Sequence, residues 1–479
     1  MAEAFGETFA GDLSRRRFIA GAAAAGLPTP PADSGPARSR RTTGPLDLSN
    51  EPVFCAHEHW GSIASFGMEP EGFRPDVVRG ALPRRRTHLT DLLLDPYLGG
   101  WLRASGFDPD AAARAAGATG ISEIEGDAPK AMEVLAPGLA RLRLTGAYQC
   151  LRRGIRFLHG GDVDDASRRS VERAASSIVA RYQSPFAWYG QAMRKAHLAG
   201  LLRPVHPEYY YREESPHSAA EEAALGGTLL RIDPLLDLWQ GTSPRRDALA
   251  ACVGIEPTDA ASWVALLQRL FDHAAERGCV GIKQLQAYTR SLEFAPVADA
   301  SVRFRGDLSR AEVCAFQDWL VHACCRLAHD RGWPHQVHVG THNLPHSQPL
   351  PLGSLAARYP GMKLVLLHCW PYLAEAGWLA KHHPNVYLDT CWMPVLNPAF
   401  LREALALWLG YVPSHKIFLS QDATSVEMAV GSAMFSREAV AAALAAAGRE
   451  LGMGEEALRE VGRTLLSGNA AALYSVPSR

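Results

Sequence analysis

The chain lacks any marked imbalance of charge. Its 479 residues include 49 Lys and Arg against 50 Asp and Glu, which gives a formal net charge of −1. A protein without excess positive charge has no electrostatic reason to bind nucleic acid or an anionic membrane. We therefore expect a small-molecule substrate and no nucleic-acid partner, and self-association into a homo-oligomer stays open.

Paired cysteines and long apolar runs are also missing. The nine cysteines show no Cys-x-x-Cys spacing, so neither a zinc ribbon nor a disulfide framework is predicted. Cys55, Cys279 and Cys369 lie in strand-like apolar runs and are interpreted as small buried hydrophobes. Beyond the N-terminal segment, no run approaches the roughly 18 to 20 apolar residues of a membrane span. Stable membrane association is therefore not expected.

The N-terminal segment has a composition of its own. Ser14 to Ile19, with three consecutive arginines, precedes the Ala-rich residues 20–27 and resembles a twin-arginine export signal. This resemblance predicts a periplasmic protein. The alternative is a disordered basic arm on a cytoplasmic protein, which the Pro-, Ser-, Gly- and Arg-rich residues 28–45 would extend. We predict a signal and flexible arm over 1–45 and one catalytic domain over 46–479.

Short apolar runs alternate with amphipathic segments, most clearly from residue 275 onward. This alternation is typical of repeated βα units and a parallel sheet. The predicted strands are Val53 to Ala56, Leu198 to Val205, Thr228 to Ile232, Val280 to Leu285, Gln336 to Val339, Leu364 to Leu367, Val386 to Leu388 and Ile417 to Leu419. Eight such units in a chain of this length predict an α/β fold, a (β/α)8 TIM-type barrel.

One region interrupts the alternation. Residues from about 85 to 190 are rich in Leu, Ala and Arg at helical spacing and contain no convincing strand. We predict a distorted barrel with a helical insertion after the first strand. Later in the chain, Ser309 precedes Glu312 at capping-box spacing, which predicts a helix that begins there and runs to Arg331.

Metal-competent side chains end several of the predicted strands. Alternate residues of a strand project to one face, so the rings of His57 and His59 can converge on one ion. His338, His368 and Asp422 close three later strands. Because the carboxyl ends of barrel strands meet at one mouth, we expect these five side chains to face one another. A regular placement of this kind is far harder to obtain by chance than any single histidine.

With these residues in place, the sequence resembles the amidohydrolase superfamily, specifically the amidohydrolase-2 branch, which includes metal-dependent hydrolases and decarboxylases. The family pattern maps onto His57 and His59 on strand one, His338 on strand five, His368 on strand six and Asp422 on strand eight. Residues 468–474 also look like the family's closing helix. By resemblance, His57, His59 and His338 hold the metal. His368 polarises the substrate or binds a second ion, and Asp422 ligates or takes a proton from water.

Two departures from the family pattern stand out. Members often carry Ser or Thr before the strand-eight Asp, whereas Gln421 precedes Asp422 here, which puts the local hydrogen bonding in question. The insertion is longer than in the small decarboxylases. In this respect the chain is more similar to uronate isomerases and to the amidohydrolase-like domain fused to some glutamine synthetase homologues.

The identity and number of the ions stay open. Zinc is the default for imidazole and carboxylate ligands, and manganese is the alternative. The number of ions depends in part on Lys283, which lies on the fourth barrel strand. Binuclear members carry a carboxylated lysine there that bridges two metals, so Lys283 is a candidate ligand. A free Lys283 could instead bind a substrate carboxylate or extend to solvent.

Other residues are candidate substrate contacts. Arg290 follows the fourth strand, and Arg231 ends the third, each able to bind a carboxylate or to make a structural ion pair. Trp60 and Trp370 follow predicted ligand positions and could line the pocket or pack in the core. His342 lies in the loop after His338.

The leading functional hypothesis is metal-dependent hydrolysis of an amide, ester or lactone bond, with an activated water and Asp422 handling protons. Non-oxidative decarboxylation of a carboxylic acid, with Lys283 or Arg290 holding a carboxylate, is the runner-up. A uronate-isomerase-like proton transfer is third. The non-enzymatic alternative is a catalytically silent metal-binding scaffold, which the intact five-residue constellation disfavours.

Overall fold

The computed structural model describes residues 46–60, 88–164, 167–211 and 216–476, with the side chains of 216–219 left out of the description. The predicted signal and arm over 1–45 lie outside these residues. Export therefore stays a prediction. Among the described helices, none combines the length and the apolar character that a bilayer crossing requires.

Eight parallel strands form one sheet in which each strand pairs with the next along the chain. They are β1 (Val53–Cys55), β2 (Leu198–Val205), β3 (Gly226–Arg231), β4 (Cys279–Gln284), β5 (Pro334–Val339), β6 (Lys363–His368), β7 (Val386–Asp389) and β8 (Ile417–Phe418). The bounds agree with the predicted strands to within two residues. The chain is a (β/α)8 barrel, as the sequence predicts.

The ends of the first and last strands close the barrel. The backbone N–H of Asp422 donates to the carbonyl of His57, and the N–H of His59 donates to the carbonyl of Ala423, each at 3.0 Å. These hydrogen bonds join the segment after β8 to the segment after β1, and so complete the ring of strands. They also place three of the predicted ligands side by side, because His57, His59 and Asp422 belong to the residues that make the closure.

Helices surround the sheet. They are α1 (Leu89–Leu93), α2 (Pro96–Ala104), α3 (Pro109–Ala115), α4 (Ala128–Leu142), α5 (Gly146–His159), α6 (Arg168–Arg181), α7 (Pro185–Lys195), α8 (Pro216–Ala223), α9 (Pro244–Val253), α10 (Ala260–Glu276), α11 (Arg310–Arg331), α12 (Gly353–Arg358), α13 (Leu373–His382), α14 (Met393–Leu396), α15 (Pro398–Trp408), α16 (Val426–Leu451), α17 (Glu455–Arg463) and α18 (Asn469–Tyr474). The predicted capping box is present at the start of α11, where Ser309 and Glu312 bond reciprocally.

The helical insertion lies between β1 and β2, as predicted, and its described part comprises α1 to α7. It is joined to the barrel through α16. A Cβ on Gly154 of α5 would lie 1.7 Å from the carbonyl oxygen of Glu427, and one on Gly431 of α16 would lie 1.8 Å from that of Cys150. The two helices therefore approach at backbone distance, which only glycine at these positions permits.

Glu427 adds a polar connection at the same place. Its buried carboxylate accepts hydrogen bonds from Tyr182 and Trp188 and pairs with the ring of His159, all three in the insertion. Because α16 begins four residues after Asp422, this cluster ties the insertion to the segment that carries the predicted catalytic aspartate. The insertion is thus positioned to reach the barrel mouth.

Candidate metal centre

Asp422 lies among three of the predicted histidines at the mouth of the barrel. Its Oδ1 is 3.2 Å from Nε2 of His59 and 3.8 Å from Nε2 of His57, and its Oδ2 is 3.8 Å from Nε2 of His368. Asp422, His57 and His368 are almost fully buried. Side chains from β1, β6 and the end of β8 therefore converge as the sequence predicts, because they all leave the carboxyl ends of barrel strands.

Hydrogen bonds below the site set the tautomer of His57. The Gln336 amide nitrogen donates to the carbonyl of Ala56 and to the hydroxyl of Tyr474, so its oxygen, 2.7 Å from Nδ1 of His57, is the acceptor. Nδ1 thus carries the proton. Nε2 keeps its lone pair, is buried, and has no hydrogen-bond partner among the described residues. A buried nitrogen left in this way is what a metal ligand requires.

His368 is oriented by the same kind of contact. Its Nδ1–H donates to the carbonyl of Cys391 at 2.8 Å, which leaves Nε2 unprotonated toward Asp422. Ligand atoms of His57, His59 and Asp422 lie within 4.8 Å of one another, and those of His368, Cys391 and Asp422 do so as well. Imidazole nitrogens and a carboxylate at these separations fit a divalent ion such as zinc.

The electrostatics of the centre suit a cation. Burial pushes the pKa of Asp422 upward, but the surrounding imidazoles of His57, His59 and His368 outweigh it and hold that pKa well below the ordinary value. Burial lowers the pKa of His57 and of His338 well below the usual range. The carboxylate is therefore ionised and the imidazoles neutral, which are the forms that bind metal.

His338 takes a neighbouring position. Its ring centroid is 4.4 Å from that of His368, and its Nε2 is 3.2 Å from the hydroxyl of Thr341. It lines the same cavity as Asp422 and His368. Within the described residues, His338 belongs to neither of the two three-residue ligand groups. The structure thus places this predicted ligand beside His368 rather than against the His57–His59 pair.

A cavity of about 460 Å³ opens above these residues. It is lined by His59, Pro96, Tyr97, Gly100, Trp101, Ala104, Lys283, Leu285, Tyr288, His338, Thr341, His342, His368, Trp392, Leu396 and Asp422. The histidines, Lys283 and Asp422 supply its polar floor, and aromatic and aliphatic side chains supply its walls. This combination is typical of a small-molecule site.

Lys283 reaches this cavity from β4. It is 1% exposed, and it makes no hydrogen bond or ion pair with any residue that the structure describes. Burial and the nearby Arg231 lower the pKa of Lys283 to about 8. The carboxylates of Asp233 and Asp422 partly oppose this lowering of the pKa. Lys283 therefore faces the cavity as a buried amine that could bind an anionic group of a ligand or carry a chemical modification.

His342 and Arg231, two other predicted substrate contacts, differ in their position relative to the cavity. His342 lines the cavity and packs against Tyr288, as expected of a substrate contact. Arg231 is not among the lining residues. It forms a two-pronged ion pair with Asp233, so its guanidinium is already occupied by a carboxylate, although its charge still acts on Lys283.

Three predicted substrate contacts lie away from the cavity. Arg290 pairs with Asp318 at 2.7 Å and donates to the carbonyl of Glu293, so its role is structural. Trp60 donates to Glu58 and packs in the core. Trp370 stacks on Phe400 with ring centroids 3.9 Å apart. Each side chain finds its partner in the neighbouring helix or loop, which strand-end placement alone does not reveal.

The unusual Gln421 does not disturb the site. Its side chain is buried, donates to the carbonyl of Leu419, and accepts from the hydroxyls of Ser432 and Ser436 on α16. The side chain therefore faces the surrounding helix and not the cavity. The two serines of α16 thus bind the amide oxygen, and the helix accommodates the departure from Ser or Thr.

The backbone at the mouth is strained. Four non-glycine residues that line the cavity have left-handed φ values: Thr341 at 60°, His368 at 65°, Trp392 at 67° and Asp422 at 52°. Such values are rare for residues with a Cβ and concentrate at functional sites. They turn the chain at the strand ends and direct these side chains into the cavity.

Sequence reasoning missed several residues of the site. Tyr97, in α2 of the insertion, donates its hydroxyl to Oδ1 of Asp422 at 2.9 Å. Tyr288 and Trp392 form aromatic walls. Cys391 supplies an atom to one of the ligand groups. Only Cys391 had a detectable pattern, since it follows a predicted strand by a few residues; nothing in the insertion's sequence marks Tyr97.

The fold and the centre together define a barrel enzyme of the metal-dependent type. Residues 232–476, more than half of the chain, match the family model described as Amidohydrolase. The chain belongs to this amidohydrolase family, as the sequence motifs predict.

Individual relatives are more distant. Protein fluG of Emericella nidulans is 33% identical over 178 residues, which cover 32% of this chain and 20% of fluG. The chain thus spans about a fifth of the length of that relative.

Solved structures resemble the chain over most of its length. The uronate isomerase of Thermotoga maritima has a TM-score of 0.66 at 14% identity, covering 90% of this chain and 95% of that one. The glucuronate isomerase of Caulobacter crescentus gives 0.65 at 17%, with coverage of 90% and 92%. A protein of Lactobacillus casei assigned as a metal-dependent hydrolase gives 0.56 at 18%, with coverage of 90% and 98%. At these identities the similarity shows the fold.

Proposed function

We propose that this protein is a metal-dependent hydrolase that cleaves a C–N, ester or lactone bond of a small substrate bearing a carboxylate. The observation that carries the proposal is the position of Asp422, whose two oxygens lie 3.2 to 3.8 Å from ring nitrogens of three histidines at the base of the cavity. Hydrolysis needs a base beside the ion, and this carboxylate is ionised and faces the substrate cavity.

His57, His59 and Asp422 would hold a divalent ion, and such an ion would supply a Lewis acid able to lower the pKa of water and to polarise a carbonyl. Asp422 accepts the proton of the attacking water and returns it to the leaving nitrogen or oxygen, so no proton is gained or lost overall. Tyr97 holds Oδ1 of Asp422 by its hydrogen bond and so orients the base. His338 and His368 face the substrate from the same floor.

Lys283 supports a substrate with a carboxylate. Its side chain lines the cavity, is 1% exposed and has no partner among the described residues. A substrate carboxylate would supply a direct hydrogen-bonding partner for Lys283, and the positive charge of the nearby Arg231 would add to the attraction. The alternative is carboxylation of Lys283 to bridge two ions. A mass measurement of the intact protein distinguishes the two states, because only the second adds the mass of CO2.

Decarboxylation is the second candidate, and the same Lys283 favours it, since a decarboxylase must also hold a carboxylate near the ion. The two reactions differ in the fate of water. Hydrolysis incorporates a water oxygen into the product, whereas decarboxylation releases CO2. Uronate-isomerase-like proton transfer does neither and leaves the substrate mass unchanged.

The test is a substrate panel with the zinc-loaded protein in oxygen-18-labelled water. The panel contains N-acyl amino acids, carboxylate-bearing esters and lactones, hydroxy-benzoic acids and uronates. We expect labelled hydrolysis products, their loss in Asp422→Asn, and a raised KM in Lys283→Met for acidic substrates only. Neutral amide analogues of the same substrates serve as the control. Release of CO2, or isomerisation without label, from a member of the panel would overturn the proposal.

A further inference from the structure

We propose that Cys391 is a metal ligand and that its sulfur, with His368 and Asp422, forms a second ligand group beside that of His57, His59 and Asp422. The inference rests on the metal centre of the proposed function and adds a ligand of different chemistry. A ring nitrogen of His368, the sulfur of Cys391 and a carboxylate oxygen of Asp422 lie within 4.8 Å of one another.

Cys391 is held at the mouth by its backbone. It lies two residues after the end of β7, where its N–H donates to Oδ1 of Asp389 at 2.9 Å and its carbonyl accepts from Nδ1 of His368 at 2.8 Å. The second bond has two effects. It fixes the position of Cys391, and it leaves Nε2 of His368 as the ring atom able to bind an ion.

The sulfur of Cys391 has no hydrogen-bond partner among the described residues, although the side chain is completely buried. Four other buried cysteines differ in this respect, whereas buried Cys324 also has no partner among the described residues. The thiols of Cys150, Cys279 and Cys369 contact backbone carbonyls at 3.5, 3.1 and 3.4 Å, and that of Cys325 contacts His335. Cys391 instead lies next to the carboxylate of Asp422 and a histidine, which are metal-binding groups.

Coordination would bind Cys391 as a thiolate. When an ion binds, the S–H proton is released to solvent and the sulfur–metal bond replaces it. The cation also removes the repulsion between the thiolate and Asp422. A thiolate ligand favours zinc, cobalt and cadmium over manganese.

Cobalt substitution tests the proposal directly. We expect Co²⁺-loaded wild-type protein to show visible bands from the centre together with a near-ultraviolet thiolate-to-metal charge-transfer band. Cys391→Ser and Cys391→Ala should lose the near-ultraviolet band and keep the visible ones. Cys324→Ala, a buried cysteine of α11 remote from the site, is the matched control and should keep both. Retention of the near-ultraviolet band in both Cys391 variants would overturn the inference.

A second measurement needs no variant. X-ray absorption of the zinc-loaded wild-type protein should contain a sulfur scatterer at about 2.3 Å from zinc. A coordination shell with nitrogen and oxygen alone would overturn the role of Cys391 while leaving the proposed function intact. Failure of the wild-type protein to bind Co²⁺ or Zn²⁺ at all would instead overturn the metal centre and both proposals.

Discussion

The phenol of Tyr97 donates a 2.9 Å hydrogen bond to Oδ1 of Asp422, and it joins the helical insertion to the proposed catalytic base. Tyr97 belongs to α2, whereas Asp422 follows β8 at the other end of the chain. The insertion therefore contributes to the site itself. Pro96, Gly100, Trp101 and Ala104 of the same helix line the cavity, so α2 also shapes the space available to the substrate.

Tyr97→Phe removes this bond and keeps the ring. A hydrogen bond to a charged acceptor contributes about 1.5 to 3 kcal/mol, so we expect turnover of the substrate identified by the panel to fall roughly tenfold or more. The zinc content and the unfolding midpoint should stay near those of the wild type. Tyr411→Phe, at an exposed tyrosine, is the control. Unchanged turnover in Tyr97→Phe would show that Asp422 needs no orientation from the insertion.

Gln336→Met removes the acceptor that sets the tautomer of His57. Loss of such an outer contact weakens metal binding by roughly 10- to 100-fold, and a chelator competition measures it. Gln284→Met is a matched control, because Gln284 is also a buried glutamine on a neighbouring strand, but its amide has no partner among the described residues. Equal zinc affinity in the two variants would contradict the assigned role of Gln336.

Gly154→Ala tests the contact between α5 and α16. The added methyl group would lie 1.7 Å from the carbonyl oxygen of Glu427, so the helices must separate. We expect the free energy of unfolding to fall by about 3 kcal/mol or more. Gly190→Ala, in helix α7, meets only the end of the Arg194 side chain at 3.4 Å and should be neutral or stabilising. Denaturant titration of both proteins measures the difference.

His335 supplies a pH-dependent contribution to stability. Burial lowers the pKa of His335 to about 3, whereas an unfolded histidine titrates near 6.5. Between these values only the unfolded state binds the proton, so stability falls as the pH drops below about 6.5. From about pH 7.5 to about pH 5.5 the loss from this residue is about 1.4 kcal/mol.

The measurement compares His335→Met with the wild type by denaturant titration at both pH values. On acidification, His335→Met should lose about 1.4 kcal/mol less stability than the wild type. His415→Met, at an exposed histidine, should follow the wild type. Parallel behaviour of His335→Met and the wild type would show that His335 binds its proton in the folded protein as readily as in the unfolded chain.

The barrel could be predicted from the sequence because its information is local and repeated. Apolar runs of strand length and intervening amphipathic segments predict β2 to β8 within two residues. The meeting of His57, His59, His368 and Asp422 followed from one topological rule, that parallel barrel strands share a mouth at their carboxyl ends. No side-chain contact had to be known for that conclusion.

Only the tertiary structure decided which side chains face the cavity and which are paired elsewhere. The sequence places Arg290 shortly after β4, near the barrel mouth, but Asp318 of α11 pairs with it. Tyr97 had no recognisable pattern, yet its helix α2 reaches Asp422. These outcomes depend on contacts between segments far apart in the chain. Strand periodicity encodes where a residue lies along the barrel, whereas charge pairing and helix packing determine what its side chain can bind.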